Sequence, residues 1–499
     1  MKNGMTYKST RGEEAESSAK VILNGIASDG GLYTPSFFPS ITMEDIKEMA
    51  GLDYAQRAAY ILSLYLTDYG YDELLEYAKK AYSRFDEEMA APLTKVDEKT
   101  FILELWHGPT LAFKDVALTI LPYLLTGARK KQGQEKKTLI LVATSGDTGK
   151  AALEGFKDVE NTEIVVFYPN EGVSAMQKLQ MQTAEGSNTH VVAIEGNFDD
   201  AQKAVKDIFT DKAMIKKLSE MGYELSSANS INFGRLAPQI VYYISSYVDL
   251  LVNEEIEEGE EINFIVPCGN FGNILAAYYA YRMGLPIKHF IVASNKNKVL
   301  TDFFDTGEYN INREFYRTIS PSMDILVSSN LERLIFEFTG RDCEKVKSLI
   351  EDLKESGMYR VDEDELYEKL PQFIGYFSTE EETRTVIENF FNEYNYLLDP
   401  HTAVAVSAYN KYMSDTYDNE TVSVIASTAH PFKFPEDVYE ALTKKREKSG
   451  QKAIKKLYAY TGIKPPSAIA ELEQKQILHD IVIPKSGIKD TLIKILQKD

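Results

Sequence analysis

The chain has 499 residues, 44% hydrophobic and 26% charged, with a formal net charge of −21. Such a length suits roughly three domains, or two with insertions, and such a composition is that of a soluble globular protein. The acidic surplus excludes a basic nucleic-acid surface, and an anionic ligand would need local cations and backbone N–H donors to overcome it.

The two cysteines, Cys268 and Cys343, are far apart and show neither metal-ligand spacing nor a disulfide framework, which suits a reducing compartment. The first residues hold no apolar signal core, and no apolar run approaches the ~18 residues of a membrane span. A cytoplasmic chain without metal, nucleic acid or membrane partner is expected, as a monomer or a homodimer.

Residues 1–35 read as a strand-like start, Tyr7–Gly12, and a tight turn, Asp29–Pro35. From Thr42 the period is helical, with Thr42 as N-cap and Asp45 in the first turn; 54–66 and 71–85 continue it. Residues 1–95 are therefore expected to form a mainly helical N-terminal domain. Next comes His107-Gly-Pro-Thr-Leu-Ala-Phe-Lys-Asp115, in which Lys114 sits among Ala112, Phe113, Val116, Ala117 and Leu118. Desolvation there lowers an ammonium pKa and frees the amine as a nucleophile that forms Schiff bases with aldehydes. The alternative is a helix lysine whose stem lies along an apolar face while its head reaches water.

From 138 the pattern alternates strand and helix: strand 138–144, a helix from Lys150 to Phe156, strand 163–168, helix 174–184, strand 189–195 and helix 199–210. A long helix, Arg235 to Asn253, precedes strand 262–267, helix 273–283, strand 289–293 and, much later, strand 421–426. Such alternation makes an α/β protein with largely parallel sheets covered by helices. Residues 310–395 are charged and Glu-rich and read as a helical insertion.

Four stretches, three at strand ends and one at the approach to a helix, have the composition of ligand loops. In Pro267-Cys-Gly-Asn-Phe-Gly-Asn273 the glycines allow close backbone approach and the following helix offers free N–H groups, so the loop is either a phosphate cradle or an ordinary strand-to-helix turn. It has neither the Lys-Ser/Thr ending of a P-loop nor the spacing of a dinucleotide fingerprint. Thr144-Ser-Gly-Asp-Thr-Gly149 either grips an anion or caps its helix. Asn229-Ser-Ile-Asn-Phe-Gly-Arg235 either binds an anion through its guanidinium or is a cap followed by a surface arginine. Ser427-Thr-Ala-His-Pro431 closes a strand where ligands usually lie, or is a plain strand-end turn. Several anion loops and one apolar-flanked lysine fit pyridoxal 5′-phosphate, which needs a lysine, a phosphate cradle and a polar partner for its ring nitrogen.

Together with Asp399-Pro-His-Thr-Ala403, and in this order, these stretches resemble the threonine synthase family in its longer bacterial and fungal form, across nearly the whole chain. The resemblance implies a fold-type II pyridoxal-phosphate enzyme, built like the tryptophan synthase β chain. It implies a large cofactor domain from 96–143, 231–309 and 396–499, and a small α/β domain from 144–230. It implies Lys114 as the Schiff-base lysine and catalytic base, with Asp147 near the cofactor's 3′-oxygen. Gly269, Asn270, Phe271, Gly272 and Asn273 would cradle the cofactor phosphate, and Thr428 would face the ring nitrogen. Thr144, Ser145 and Thr148 would handle the substrate α-carboxylate, and Asn229, Ser230 and Arg235 the substrate phosphate. The implied activity is that of a carbon–oxygen lyase acting on phosphates (EC 4.2.3.1), turning O-phospho-L-homoserine and water into L-threonine and phosphate. Cys268 and Phe432 depart from the family pattern without removing a catalytic group. The competing readings are a serine or threonine dehydratase or a phospholyase of the same fold, and a homologue that binds cofactor without catalysis.

Overall fold

The computed structural model describes residues 4–144, 146–171, 173 and 175–497. Its larger sheet has six strands in the order Phe373–Phe377, Ile287–Ser294, Ile262–Pro267, Ser423–Ser427, Thr100–Glu104 and Leu93–Lys95. All pairings are parallel except the last. A second sheet has five strands, Val482–Pro484, Thr189–Glu195, Thr162–Pro169, Lys137–Ala143 and Tyr223–Ser226, all parallel. Parallel sheets are covered on both faces, so their strands read as continuous apolar runs. Ile262–Pro267 and Thr162–Pro169 are accordingly buried at every residue.

The N-terminal helices begin where side chains can satisfy their free N–H groups. Thr42 and Asp45 form a reciprocal capping box on Met43–Glu48, and Asp53 and Gln56 form another on Tyr54–Tyr65. The helix Phe233–Val252 packs against Tyr54–Tyr65, Lys114–Leu118 and Gly272–Met283, so one core joins the N-terminal region to the larger sheet.

Some segments lie in other places than their sequence suggests. Lys137–Ala143, expected with the large domain, is a central strand of the five-stranded sheet. A strand–helix–strand unit pairs its two strands in parallel, so this strand goes with Thr162–Pro169 across the helix Asp147–Phe156. Val482–Pro484 joins the same sheet at its edge, and Ile488, Leu492 and Leu496 of the helix Ile488–Leu496 complete its core. Phe373–Phe377, inside the stretch expected to be helical, forms the edge of the six-stranded sheet. Its sequence, Phe-Ile-Gly-Tyr-Phe, is rich in strand-forming residues. The N-terminal region is helical beyond residue 42 but also carries a three-stranded antiparallel sheet, Thr6–Ser9, Ala15–Ser17 and Tyr33–Pro35.

The helix that starts at Lys114 is seated by a close backbone contact. A Cβ on Gly155, in the helix Asp147–Phe156, would lie 2.0 Å from the carbonyl oxygen of Leu118. Backbone cannot yield as a side chain does. Gly155→Ala is therefore expected to destabilise the fold by about 1–3 kcal/mol through overpacking. A thermal unfolding midpoint equal to that of the parent protein would count against this seating.

Candidate active site

The strands Thr100–Glu104 and Ser423–Ser427 lie side by side and parallel. Their carboxyl ends therefore deliver two loops to one rim, the usual ligand crevice of such sheets. The loops zip together: Phe113 N–H donates to Thr428 O (2.9 Å), His430 N–H to Leu111 O (3.0 Å), and Trp106 Nε1–H to Ser427 Oγ (3.0 Å). Leu111 sits at φ 61°, in the left-handed region, where the first loop turns back. Asp115 is buried and accepts from Thr110 N–H (2.8 Å) and Thr110 Oγ1–H (2.6 Å). A Cβ on Gly108 would lie 2.6 Å from the Asp115 carboxylate, so this position accepts only glycine. His107 stacks on Trp106, with centroids 4.2 Å apart, and bridges Asp86 (2.7 Å) and Glu104 (2.8 Å). It anchors the loop.

Lys114 Nζ lies 3.4 Å from Ser322 Oγ and 3.8 Å from Asp147 Oδ2. Burial lowers its pKa, Asp147 opposes that, and the cations Lys433 and Arg235 add to the lowering. Asp147 opens the helix Asp147–Phe156. Its other oxygen is 3.1 Å from Lys433 Nζ, which also donates to Thr110 O (2.6 Å) and whose side chain is only 2% exposed. Burial alone would raise the Asp147 pKa, but Lys433, Lys114 and His401 hold it well below the usual carboxylate range. Asp147 is thus an ionised carboxylate shared by two lysines. His401 accepts from Ser322 N–H at Nε2 (3.1 Å), with its other ring nitrogen on Asp399 (2.7 Å), and so fixes the segment carrying Ser322.

The glycine loop leaves the strand Ile262–Pro267 and enters the helix Gly272–Met283. Phe271 takes φ 62° and packs its ring against Phe304 and Phe373. A Cβ on Gly269 would lie 2.6 Å from Ser322 O, so the 320–323 segment lies close over the loop. Gly269 O accepts from Ser328 Oγ (2.7 Å), and Asn270 O from Asn330 N–H (3.1 Å) and Nδ2 (3.0 Å). Asn273 Oδ1 accepts from Tyr242 Oη (2.5 Å) and Tyr243 Oη (2.6 Å), while its Nδ2 has no partner among the described residues. Arg235 is buried in the first turn of Phe233–Val252. Its Nη1 donates to Ala228 O (2.6 Å), and its Nε has no partner among the described residues. Burial brings its pKa down to about 10. Two orphaned buried donors beside two helix N-termini are arranged for anionic oxygens. With the desolvated Lys114, this donor set fits a phosphate-bearing aldehyde cofactor.

The other expected residues are placed unevenly. Thr428 is buried, and its carbonyl positions Phe113. The Thr144 hydroxyl is used within its own loop, accepting from Gly146 and Gly149 N–H (3.0 Å each). Thr148 is half-buried in the first turn of its helix, and Ser145 lies outside the described residues. Asn229 is exposed and Ser230 half-buried, while Asn232 caps the helix by accepting from Gly234 N–H (2.8 Å). Of the two departures from the family pattern, Cys268 turns its thiol to Val266 O (3.1 Å) and Phe432 is fully buried core. Sequence reasoning missed Lys433, Ser322 and Asn330, and gave no role to His401 although it singled out the Asp399–Ala403 stretch. Lys433 carried a usable signal, since it lies between Phe432 and Phe434 as Lys114 lies beside Phe113. Ser322 and Asn330 had none, because their stretch reads as a solvated lobe.

Residues 88–369 match the family model described as "Pyridoxal-phosphate dependent enzyme". The fold and site thus define a fold-type II enzyme that depends on pyridoxal phosphate. Residues 6–82 match "Threonine synthase N terminus" and 402–476 match "Threonine synthase, C-terminal". The chain belongs to the threonine synthase family. It is 39% identical to the threonine synthase of Pseudomonas aeruginosa, over 88% of this chain and 90% of that one. It is 39% identical to the Homo sapiens protein named threonine synthase-like 1, over 91% of this chain and 62% of that one. The crystal structure of the PLP-bound threonine synthase from Brucella melitensis superposes with a TM-score of 0.87 at 36% identity, covering 98% of this chain and 99% of that one.

The His107 clamp has a pH signature. Burial works against its charge, but its hydrogen bonds to the Glu104 and Asp86 carboxylates outweigh that and raise its pKa above 6.5. A raised folded pKa stabilises the protein fully below the unfolded value and loses that contribution as pH rises through the folded one. Thermal stability should therefore fall across this window above pH 6.5, and His107→Asn should flatten that fall. Identical pH profiles for the two proteins would refute the clamp.

Proposed function

We propose that this chain converts O-phospho-L-homoserine and water to L-threonine and inorganic phosphate, with the residue roles that follow. The observation that carries the reading is the pair of helix N-termini with buried orphaned donors, Asn273 on one and Arg235 on the other, beside a desolvated lysine. A substrate phosphate and a cofactor phosphate need two such places in one site.

Gly269, Asn270, Phe271, Gly272 and Asn273 hold the cofactor phosphate, and Thr428 faces its ring nitrogen. The bound cofactor supplies an electron sink for carbanions formed on the substrate. Arg235, with Asn229 and Ser230, holds the substrate phosphate and follows it as it leaves the γ-carbon. Thr144, Ser145 and Thr148 receive the α-carboxylate, through backbone N–H groups as well as hydroxyls. With the cofactor bound, Lys114 would take protons from the α- and β-carbons as phosphate leaves the γ-carbon, return one to the γ-carbon, which becomes the methyl group, and return one to the α-carbon once water has given its hydroxyl to the β-carbon and its proton to the phosphate. A lysine with a lowered pKa suits both halves of that work. Asp147, paired with Lys433, stays ionised near the cofactor's 3′-oxygen while Lys114 changes charge. The two sheets form the two lobes around this chemistry. The enzyme works in the cytoplasm, as a monomer or a homodimer, without nucleic acid. Among the described residues no helix is long and apolar enough to cross a membrane.

The test is to add O-phosphohomoserine to the purified protein and measure threonine, phosphate and 2-oxo acid. Equal yields of threonine and phosphate support the reading; 2-oxo acid in place of threonine overturns it. Lys114→Ala should lower turnover at least about 10³-fold and remove the visible absorbance band of the bound cofactor. Retained activity would end the assignment of Lys114. Arg235→Ala should raise KM for the substrate about 10–100-fold, as loss of a buried charge-assisted contact does, while the cofactor band remains. Loss of that band would move Arg235 from the substrate phosphate to the cofactor.

A further inference from the structure

Arg333, on the helix Leu331–Phe338, leads the largest fully buried side chains and has no role in the reaction described above. Its Nε donates to Tyr33 O (2.9 Å), Nη1 to Asn330 Oδ1 (2.5 Å) and Nη2 to Ile231 O (2.6 Å). None of the three acceptors is a carboxylate. The adjacent Glu332 is occupied elsewhere, accepting from Arg11 Nε (2.8 Å), Arg11 Nη2 (2.6 Å) and Thr10 Oγ1 (2.5 Å). Burial brings the Arg333 pKa down to about 10, despite Tyr279 and Glu332. A buried cation met only by neutral acceptors is costly to keep.

The acceptors belong to three separate segments. Tyr33 lies in the N-terminal antiparallel sheet. Ile231 lies in the 229–235 stretch that leads to Arg235. Asn330 holds Asn270 O through both its N–H and its Nδ2. One rigid planar fork therefore ties the loop that carries Arg235 to the loop that opens at Gly269. Holding Ile231 O sets how the chain enters the helix Phe233–Val252. Holding Asn270 O sets the turn in which Phe271 takes its left-handed conformation.

We propose that Arg333 is a positioning residue that couples the two phosphate sites, fixing the 229–235 and 269–273 loops in one geometry against the N-terminal sheet. This rests on the reading of those loops given under Proposed function. Lysine keeps the charge at this position but lacks the fork that reaches three divergent acceptors.

The test uses the full chain with Arg333→Met, Arg333→Lys and Asn330→Ala. Circular dichroism and thermal midpoints of the cofactor-stripped proteins report folding. Pyridoxal phosphate is titrated into each, followed by visible absorbance, to give its Kd, and KM and kcat are then measured with O-phosphohomoserine. In Arg333→Met both the cofactor Kd and the substrate KM should rise at least tenfold, with kcat at saturation changed less than threefold. Arg333→Lys should show the same paired rise, smaller in size. Asn330→Ala, which cuts only the link to Asn270, should raise the cofactor Kd tenfold and KM less than threefold. Constants within twofold of the parent's in a folded Arg333→Met, or a rise in only one of them, overturn the coupling. If Arg333→Met does not fold, Arg333→Lys decides by the same two criteria. If the parent protein binds cofactor but makes no threonine, the proposed reaction fails, and an unchanged cofactor Kd in Arg333→Met still overturns the role of Arg333.

Discussion

The structure depends on a concentration of buried positive charge inside a strongly acidic chain. Lys114, Lys433 and Arg235 lie around one crevice, and Arg333 is buried where it holds Ile231 O and, through Asn330, Asn270 O, in a protein whose net charge is −21. Asp147 serves both lysines, and the two arginines donate to backbone and amide oxygens. Desolvated cations with so few counter-charges are tolerable where anionic ligands complete the balance. A pyridoxal-phosphate enzyme of the threonine synthase family, with a phosphate on its cofactor, meets that demand. The acidic exterior adds solubility, while the site makes its own local field.

Parallel strands make the arrangement possible. Adjacent strands that end at the same rim bring Trp106–Lys114 and Thr428–Lys433 together although more than three hundred residues separate them. The loops hold their form through local constraints: Gly108 against Asp115, Leu111 in a left-handed turn, and His107 between two carboxylates. Each constraint restricts where Lys114 can lie, and Gly155 against Leu118 seats the helix that follows it. Precision at the amine therefore comes from the packing of several elements rather than from contacts of the lysine alone.

The shared carboxylate divides the labour between the two lysines. Lys433 is held by Asp147 and by Thr110 O, so it has little freedom to move. Lys114 has longer contacts, 3.4 Å and 3.8 Å, and is the less constrained of the two, as the proposed function asks of a lysine that would bond, detach and carry protons. A fixed cation beside Asp147 lets that carboxylate stay ionised whichever state Lys114 is in.

Much of the fold was legible because strand and helix periods are local properties. The strands at 162–169, 189–195 and 262–267 and the long helix to Val252 lie within a few residues of where patterning puts them. Short strands such as Leu93–Lys95 and Val482–Pro484 carry too few residues to show a period, and Phe373–Phe377 was hidden by its charged surroundings. In the site, the apolar flanks of Lys114 and the glycines of 269–272 stood out because desolvation and close backbone approach leave local marks. The sequence by itself marked a lysine in apolar surroundings, without deciding whether its head reaches water, and loops suited to anions. Only the tertiary structure decided that Lys433 shares Asp147 with Lys114, that His401 holds the Ser322 segment, and that Arg333 binds Tyr33, Ile231 and Asn330 at once. Apart from Arg333 to Asn330, three residues away, those contacts join residues tens to hundreds of positions apart, and no period or spacing along the chain encodes a meeting that arises only when strands and helices close around one core.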